Sequence, residues 1–124
     1  MEDQKLSVAF ERQEQFLIAK VTGENSLEAS LSICEQVLSE CNRLGLSKLL
    51  WIESMNRSLN FHEQEKLMLA LGQMGFKEIK IACVDLVDQH MFDNSFGETV
   101  AKSRSLNLEV KSTVEEATCW LLED

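Results

Sequence analysis

The chain has 124 residues, enough for one hydrophobic core, and its 44% hydrophobic and 27% charged residues are typical of a globular protein. This composition excludes disorder, collagen-like repeats and coiled-coil arrays, so we expect a single domain over residues 1–124. Twelve Lys and Arg against 21 Asp and Glu give a net charge of −9, which repels phosphate backbones and excludes nucleic acid as an expected partner.

The chain contains no segment that predicts a membrane span, a secretory leader or a linker. Its apolar runs are far shorter than the ~18 to 20 residues of a membrane-spanning helix, and the start MEDQK lacks a basic-then-apolar pattern. There is no proline and there are only five glycines. We therefore expect no stable membrane insertion and a cytoplasmic location.

The first predicted elements are a β-hairpin and a helix. Apolar and polar residues alternate over 5–10 and, after a polar break, over 15–22, as in two antiparallel strands. Over 27–44 the apolar residues instead fall on one face of a 3.6-residue helix. Asn25 predicts the N-cap of this helix, and Gly45 predicts its end.

Three further strand–helix units are predicted in the rest of the chain. Their strands are apolar or alternating segments at 48–53, 78–84 and 107–111. Their helices are expected from Asn60 to about Met74, within 92–104, and from Thr113 to Leu122. Because helical crossovers return the chain to the same end of a sheet, these strands must pair in parallel. The sequence predicts an α/β fold with an N-terminal β-hairpin followed by four β-α turns, and a mostly parallel five-stranded sheet with helices packed on it.

Strand composition predicts the position of each strand in that sheet. The segment 49–52 is an unbroken apolar run, which is typical of a strand covered on both faces, so it should be central. The segments 5–10 and 107–111 have a polar residue at nearly every second position, which favours the two margins.

The segment Val100–Leu122 carries a family resemblance. It reads VAKSRSLNLEVKSTVEEATCWLL and is similar to the helix, edge strand and closing helix of SpoIIAA-like proteins, including their Glu-Ala-x-x-Trp-Leu ending. These are small bacterial relatives of the anti-sigma-factor antagonists, the STAS domains, whose order of elements the whole chain resembles. The resemblance implies a single STAS-like domain over 1–124 that binds another protein in a regulatory role and is not an enzyme.

The loop after the central strand departs from that family. Its best-understood members resemble switches in which a serine at the start of the next helix, in an Asp-Ser-Ser-Gly-Leu setting, is phosphorylated. Here the loop is longer, Asn60 occupies the helix cap, and Ser54 and Ser58 lie within the loop. The family's site therefore cannot be carried over, and phosphorylation of Ser54 or Ser58 is kept as an alternative function.

The carboxyl ends of the parallel strands are where an open sheet binds its ligands. Loop residues there predict a partner-binding site made of Glu53, Ser54, Asn56, Arg57, Ser58, Asp85 and His90. Asp88, Ser112 and Thr113 are expected at the same edge. Arg57 is the strongest cation there, so it is predicted to meet an acidic group of the partner. The competing interpretation is an ordinary solvated set of loops.

No catalytic residue, metal or cofactor is predicted. The two histidines, His62 and His90, accompany no nucleophile elbow, Gly-rich phosphate loop or dinucleotide fingerprint. The cysteines at 34, 41, 83 and 119 lack Cys-x-x-Cys spacing and a histidine at ligand spacing. They are interpreted as reduced, small hydrophobic residues.

The helix predicted to end near Met74 is apolar over more than half of its circumference, with Leu67–Leu71 and Phe76 contributing. The favoured interpretation is packing between the sheet and a neighbouring helix. The alternative is a groove for a protein or a lipid. A second copy of the chain is kept as a partner, and so is a carrier function for a lipid or other small hydrophobic molecule, which would need a buried apolar cavity of ~300 Å³.

Overall fold

The computed structural model describes residues 5–123, except for the side chains of Asp88 and Phe92, and these residues form five strands and four α-helices. In chain order these are β1 (Ser7–Arg12), β2 (Leu17–Gly23), α1 (Leu27–Leu44), β3 (Lys48–Met55), α2 (Phe61–Met74), β4 (Lys80–Asp85), α3 (Met91–Ser103), β5 (Asn107–Lys111) and α4 (Val114–Leu122). Short 3-10 turns cover Phe76–Glu78 and Asp88–His90. The observed order confirms the predicted hairpin and the four β-α turns that follow it.

The five strands form one mixed sheet in the order β1-β2-β3-β4-β5. β1 is antiparallel to β2, and each later pair is parallel. The apolar strand β3 is central, and β1 and β5 are the margins, as the strand compositions predicted. The carboxyl ends of β2 to β5 consequently meet at one side of the sheet, which we call the carboxyl edge.

The sheet has a large core on one face and a smaller core on the other. The large core lies under α1, α2 and α3, and its strand residues include Leu17, Ala19, Val21, Leu49, Ile81 and Leu108. The smaller core lies under α4 and contains Ile18, Leu50, Ala82, Val84, Ala117 and Leu121. Because side chains alternate across a strand, Glu53 and Asp85 point to the same face as Leu49 and Ile81. Two carboxyl groups therefore lie on the face covered by three helices.

Two helices begin at caps that the sequence predicted. Asn60 and Glu63 form a capping box at the start of α2, in which Glu63 N donates to Asn60 Oδ1 at 2.8 Å and Asn60 N donates to Glu63 Oε1 at 3.0 Å. Thr113 Oγ1 accepts from Glu116 N at 3.1 Å at the start of α4. These bonds fix both starts to the predicted residues.

Asn25 is not the N-cap of α1, so that prediction is wrong by one residue. Ser26 is the cap, and its Oγ accepts from Ala29 N at 3.1 Å. The Asn25 carboxamide turns inward instead, where Oδ1 accepts from Ser30 Oγ at 2.6 Å and Nδ2 donates to Arg57 O at 3.3 Å. Asn25 is only 7% exposed, and burial of an amide requires such partners.

The bounds of β3 and β4 also differ from their predictions. β3 continues to Met55, two residues beyond its predicted end, and β4 continues to Asp85, one residue beyond its predicted end, so Ser54 and Asp85 belong to strands and not to the loops in which they were predicted. β4 begins at Lys80 because the preceding residues form a 3-10 turn, in which Ile79 N donates to Phe76 O at 3.0 Å. Phe76 is only 1% exposed and anchors this turn in the large core.

The apolar helix α2 packs between the sheet and its neighbours α1 and α3. Leu71 is buried in the large core, and Leu67 and Met68 are partly buried against it. Leu69 faces outward and is 43% exposed. The favoured interpretation of this helix is confirmed. Within residues 5–123, no helix is both long and apolar enough to cross a bilayer.

Gly23, at the end of β2, leaves no room for a side chain. Its φ is +122°, and a Cβ there would lie 2.4 Å from the backbone oxygen of Lys5. We expect Gly23→Ala to lower the free energy of unfolding by at least about 2 kcal/mol, because both the conformation and the backbone contact oppose it. Urea denaturation measures this loss.

Gly45→Ala is the matched control. Gly45 also has a positive φ, of +68°, but no atom lies within 4 Å of its Cβ position. The control should lose only about 1 kcal/mol, the ordinary cost of a left-handed residue. Equal losses in the two variants would contradict the close approach of residue 5 to Gly23.

Candidate functional site

The loops that leave β2 and β3 are bound to each other at the carboxyl edge. Asn56 N donates to Gly23 O at 3.1 Å, and Asn25 N donates to Asn56 Oδ1 at 2.8 Å. Arg57 Nε donates to Asn25 O at 3.2 Å. These bonds join residues that are more than 30 positions apart, so the two loops form one continuous surface.

Arg57 is already engaged within the chain. Its Nη1 donates to Ser58 O at 3.0 Å, and its Nη2 lies 3.4 Å from the carboxylate of Glu63. The Asn60 N–H and the Arg57 guanidinium together hold the pKa of Glu63 below its usual range. The Arg57 side chain is 45% exposed, so an acidic group of a partner could reach it only in competition with Glu63.

Glu53 and Asp85 form a carboxyl pair on the inner face of the carboxyl edge. They are register partners on β3 and β4. Trp51 Nε1 donates to Glu53 Oε1 at 2.8 Å, which favours the ionised form. Burial and, next, repulsion by Asp85 outweigh that bond and raise the pKa of Glu53 to about 7. Glu53 therefore keeps its proton to a higher pH than an exposed glutamate does.

Asp85 is held by donors from the loop and helix that follow it. Val87 N donates to Oδ1 at 2.9 Å, while His90 Nδ1 and Asn94 Nδ2 each lie 2.9 Å from Oδ2. The side chains of Asp85 and His90 are only 6% and 12% exposed. These bonds fix the orientation of the Asp85 carboxyl beside Glu53.

The thiols of Cys34 and Cys83 lie close to this pair and have low reactivity. Burial raises the pKa of Cys34 to about 12 and raises that of Cys83 well above its usual range. Both therefore remain neutral thiols at physiological pH and are poor nucleophiles. All four cysteines are free. Among the side chains that the structure describes, which do not include that of Asp88, no three of His, Cys, Asp or Glu are grouped as a metal site requires.

A cavity of about 110 Å³ lies between the sheet and α1, α2 and α3. Its apolar wall includes Trp51, Leu67, Met68, Leu71, Phe76 and Val110. Its polar wall includes Glu53, Ser58, Gln64, Asp85, Asn94 and Glu98. The Ser58 Oγ exposes less than 1 Å² and has no hydrogen-bond partner in the described part of the chain. A second depression, of about 320 Å³, is a more open surface feature beside Lys5 and Glu24.

Two large apolar side chains are exposed at the carboxyl edge. Leu86 and Met91 are 60% and 67% exposed, more than any other large hydrophobic residue in the described chain. Leu86 N donates to Glu53 O at 2.9 Å, so Leu86 lies directly beyond the ends of β3 and β4. Phe61, which is 45% exposed, stacks on Phe96 with ring centroids 4.3 Å apart. We define the edge surface as Asn56, Arg57, Leu86 and Met91.

The predicted site residues come together at the carboxyl edge but face different ways. Those on the outside are Ser54, Asn56 and Arg57, with Ser54 on the α4 side of the sheet. Those directed inward are Glu53, Ser58, Asp85 and His90. His62 is exposed on α2, and Thr113 is used as the cap of α4. The carboxyl edge therefore presents an outer surface and an inner cavity.

Leu86 and Met91 were not predicted as site residues. A single apolar residue in a loop gives no periodic signal, because alternation and helical spacing apply only within regular elements. The inward direction of Glu53 did have a signal. Leu49, Trp51 and Glu53 occupy alternate positions of the predicted strand 48–53 and therefore share one face of the sheet.

Comparison of the sequence with protein-family models gives no match, and comparison with curated proteins gives none. The fold is similar to that of an anti-sigma factor antagonist from Mycobacterium paratuberculosis, with a TM-score of 0.62, 14% identity and 95% of each chain covered. It is also similar to an uncharacterised protein of the DUF3478 family from Shewanella loihica PV-4, described as having a SpoIIAA-like fold. That match has a TM-score of 0.57 and 16% identity, and it covers 98% of this chain and 97% of the other. The chain has the SpoIIAA-like fold over nearly its whole length, as the resemblance implied.

Glu53→Gln should change how stability depends on pH. Because the folded-state pKa of Glu53, about 7, lies above its usual 4.5, its contribution to stability is full below pH 4.5 and is lost as pH rises through 7. Relative to the variant, the wild type should lose about 2 kcal/mol of unfolding free energy between pH 5 and pH 8. Chemical denaturation at several pH values measures both curves.

Glu65→Gln, an exposed substitution on α2, is the control and should follow the wild-type curve. If the Glu53→Gln curve runs parallel to the wild type over the same range, Glu53 is not protonated in the folded protein.

Proposed function

We propose that this chain is a non-enzymatic, regulatory domain that binds another protein through the edge surface. The observation that carries the proposal is the exposure of Leu86 and Met91, 60% and 67%, within one short segment at the carboxyl edge. Exposed apolar side chains that occur together beside polar groups are typical of protein-binding surfaces, whereas isolated exposed apolar side chains are not.

The charge of the chain indicates what kind of partner would fit. The net charge is −9, and Arg57, on the edge surface, is already paired with Glu63. Electrostatic complementarity therefore favours a partner with a basic rim around an apolar pocket that accepts Leu86 and Met91. An acidic partner would be repelled at long range.

The fold supports a protein as the partner class. The similar structure from Mycobacterium paratuberculosis is named as an antagonist of an anti-sigma factor, and an anti-sigma factor is a protein. Hydrogen bonds hold Asn56 and Arg57 to Asn25 in the β2–α1 loop, and Leu86 N donates to Glu53 O, so these parts of the edge surface are held in place before a partner arrives. A fixed surface loses little entropy on binding.

The two alternatives receive less support from the described residues. The cavity of about 110 Å³ is smaller than the ~300 Å³ that a carrier of a lipid chain would need. Of the two serines considered for phosphorylation, Ser54 is exposed, whereas the Oγ of Ser58 is buried. A kinase would reach Ser58 only after the loop moved.

Site-specific photo-cross-linking tests the edge surface. With benzoylphenylalanine at position 91, we expect a covalent adduct with one partner protein in the native host. Adding Leu86→Asp should weaken capture at least about tenfold, because a buried carboxylate replaces an apolar anchor. Both residues are exposed, so the melting temperature should change little.

Leu122→Asp is the matched control, since Leu122 is 41% exposed but lies on α4, on the opposite side of the sheet. It should leave the adduct at position 91 unchanged. An adduct that forms equally from position 122, or that survives Leu86→Asp, would contradict the proposed surface. An adduct between two copies of this chain would show that the partner is a second copy, and it would contradict the proposal that the partner has a basic rim.

A further inference from the structure

The charged side chains that line the cavity beneath α1, α2 and α3 are all acidic. Three carboxyl groups line it, those of Glu53, Asp85 and Glu98, and the described lining residues include no Lys and no Arg. Charge interactions are much stronger in such a poorly solvated space than in water. The cavity therefore disfavours an anion and favours a cation.

The acceptors in the cavity are unequally occupied. Asp85 accepts from three donors of its own loop and helix, and Glu98 Oε2 accepts from Val110 N at 2.5 Å. Glu53 Oε1 accepts from Trp51 Nε1, and Glu53 also shares a side-chain hydrogen bond with Asp85, so the two carboxyl groups act as one acidic pair.

Ser58 supplies an independent observation. Its Oγ is buried with less than 1 Å² exposed, and no partner for it exists within residues 5–123. A buried hydroxyl without a partner is rare in folded proteins, and a bound group that supplies the missing hydrogen bond is one of its ordinary explanations.

The remainder of the lining limits the size and chemistry of a ligand. Trp51, Leu67, Met68 and Phe76 give the cavity an apolar wall with two aromatic rings. Its volume of about 110 Å³ is somewhat below the ~150 Å³ of an engineered cavity that holds benzene. A ligand of about five non-hydrogen atoms fits this volume. Because much of the cavity wall is apolar, the cation that fits it is an organic one.

We infer that the cavity is a binding site for a small primary ammonium ion with a short apolar chain. The ammonium group pairs with the carboxyl groups of Glu53 and Asp85 and donates to Ser58 Oγ. The apolar chain lies against Trp51, Leu67 and Met68. This site is separate from the edge surface, so that its test does not depend on the proposed protein partner.

The affinity should increase with pH, because the ammonium ion pairs best with ionised Glu53, whose pKa is about 7. The titratable groups that face Glu53 are Asp85 and Cys83 from β4, Cys34 from α1 and Glu98 from α3, with His90 behind Asp85. The two thiols stay neutral, since burial raises their pKa values. Affinity should therefore rise about tenfold between pH 6 and pH 8.

Titration with n-butylammonium, followed by NMR on the full chain at pH 8, tests the inference. We expect saturable shifts of the Trp51 indole N–H and of the Glu53 and Cys83 amides, with a Kd on the order of 1–10 mM for so small a molecule. 1-Butanol and butyrate, which have the same chain without the positive charge, should bind at least about tenfold more weakly.

Variants separate this site from general surface binding. Glu53→Gln should weaken n-butylammonium at least about tenfold, Ser58→Ala about threefold, and the exposed control Glu65→Gln not at all. The NMR spectra themselves report whether each variant is folded. The inference is overturned by equal binding of butanol, by unchanged binding to both Glu53→Gln and Ser58→Ala, or by no saturable shift up to about 50 mM.

Discussion

Two carboxyl groups lie side by side on neighbouring parallel strands, and the arrangement of the carboxyl edge depends on this pair. Glu53 and Asp85 share a register position and a face of the sheet, so neither can turn away without breaking the alternation of its strand. Two negative charges on neighbouring register positions in a poorly solvated site are costly, and a proton on Glu53 removes one of them. Three helices can therefore cover the face on which the pair lies.

The pair also connects the inner cavity to the outer surface. The backbone oxygen of Glu53 accepts from Leu86 N, and Asp85 accepts from Val87 N and from His90 at the start of α3. The same few residues thus fix the exposed segment that contains Leu86 and Met91. A change in the charge of Glu53 therefore takes place in a residue that is hydrogen-bonded directly to Leu86.

Most of the fold and the inward direction of Glu53 could be predicted from the sequence, whereas the exposed residues Leu86 and Met91 and the cavity could not. The central position of β3 followed from its unbroken apolar run, and the start of α2 followed from Asn60 and Glu63, because both depend on local chemistry. The N-cap prediction for Asn25 was wrong because asparagine serves both as a helix cap and as a buried hydrogen-bonding amide. The contacts with Ser30 and with Arg57 in the neighbouring loop determine which role it has. The cavity arises where α2 and α3 meet the sheet, which is a consequence of tertiary packing and has no local signal.

The protonation of Glu53 is the claim on which the account most depends, and a carboxyl-carbon NMR titration measures it directly. With glutamate side chains labelled at Cδ, one resonance should titrate with a midpoint near pH 7 and disappear from the spectrum of Glu53→Gln. If every glutamate resonance instead titrates below about pH 5, Glu53 is ionised in the folded protein, and the account of the carboxyl pair is wrong.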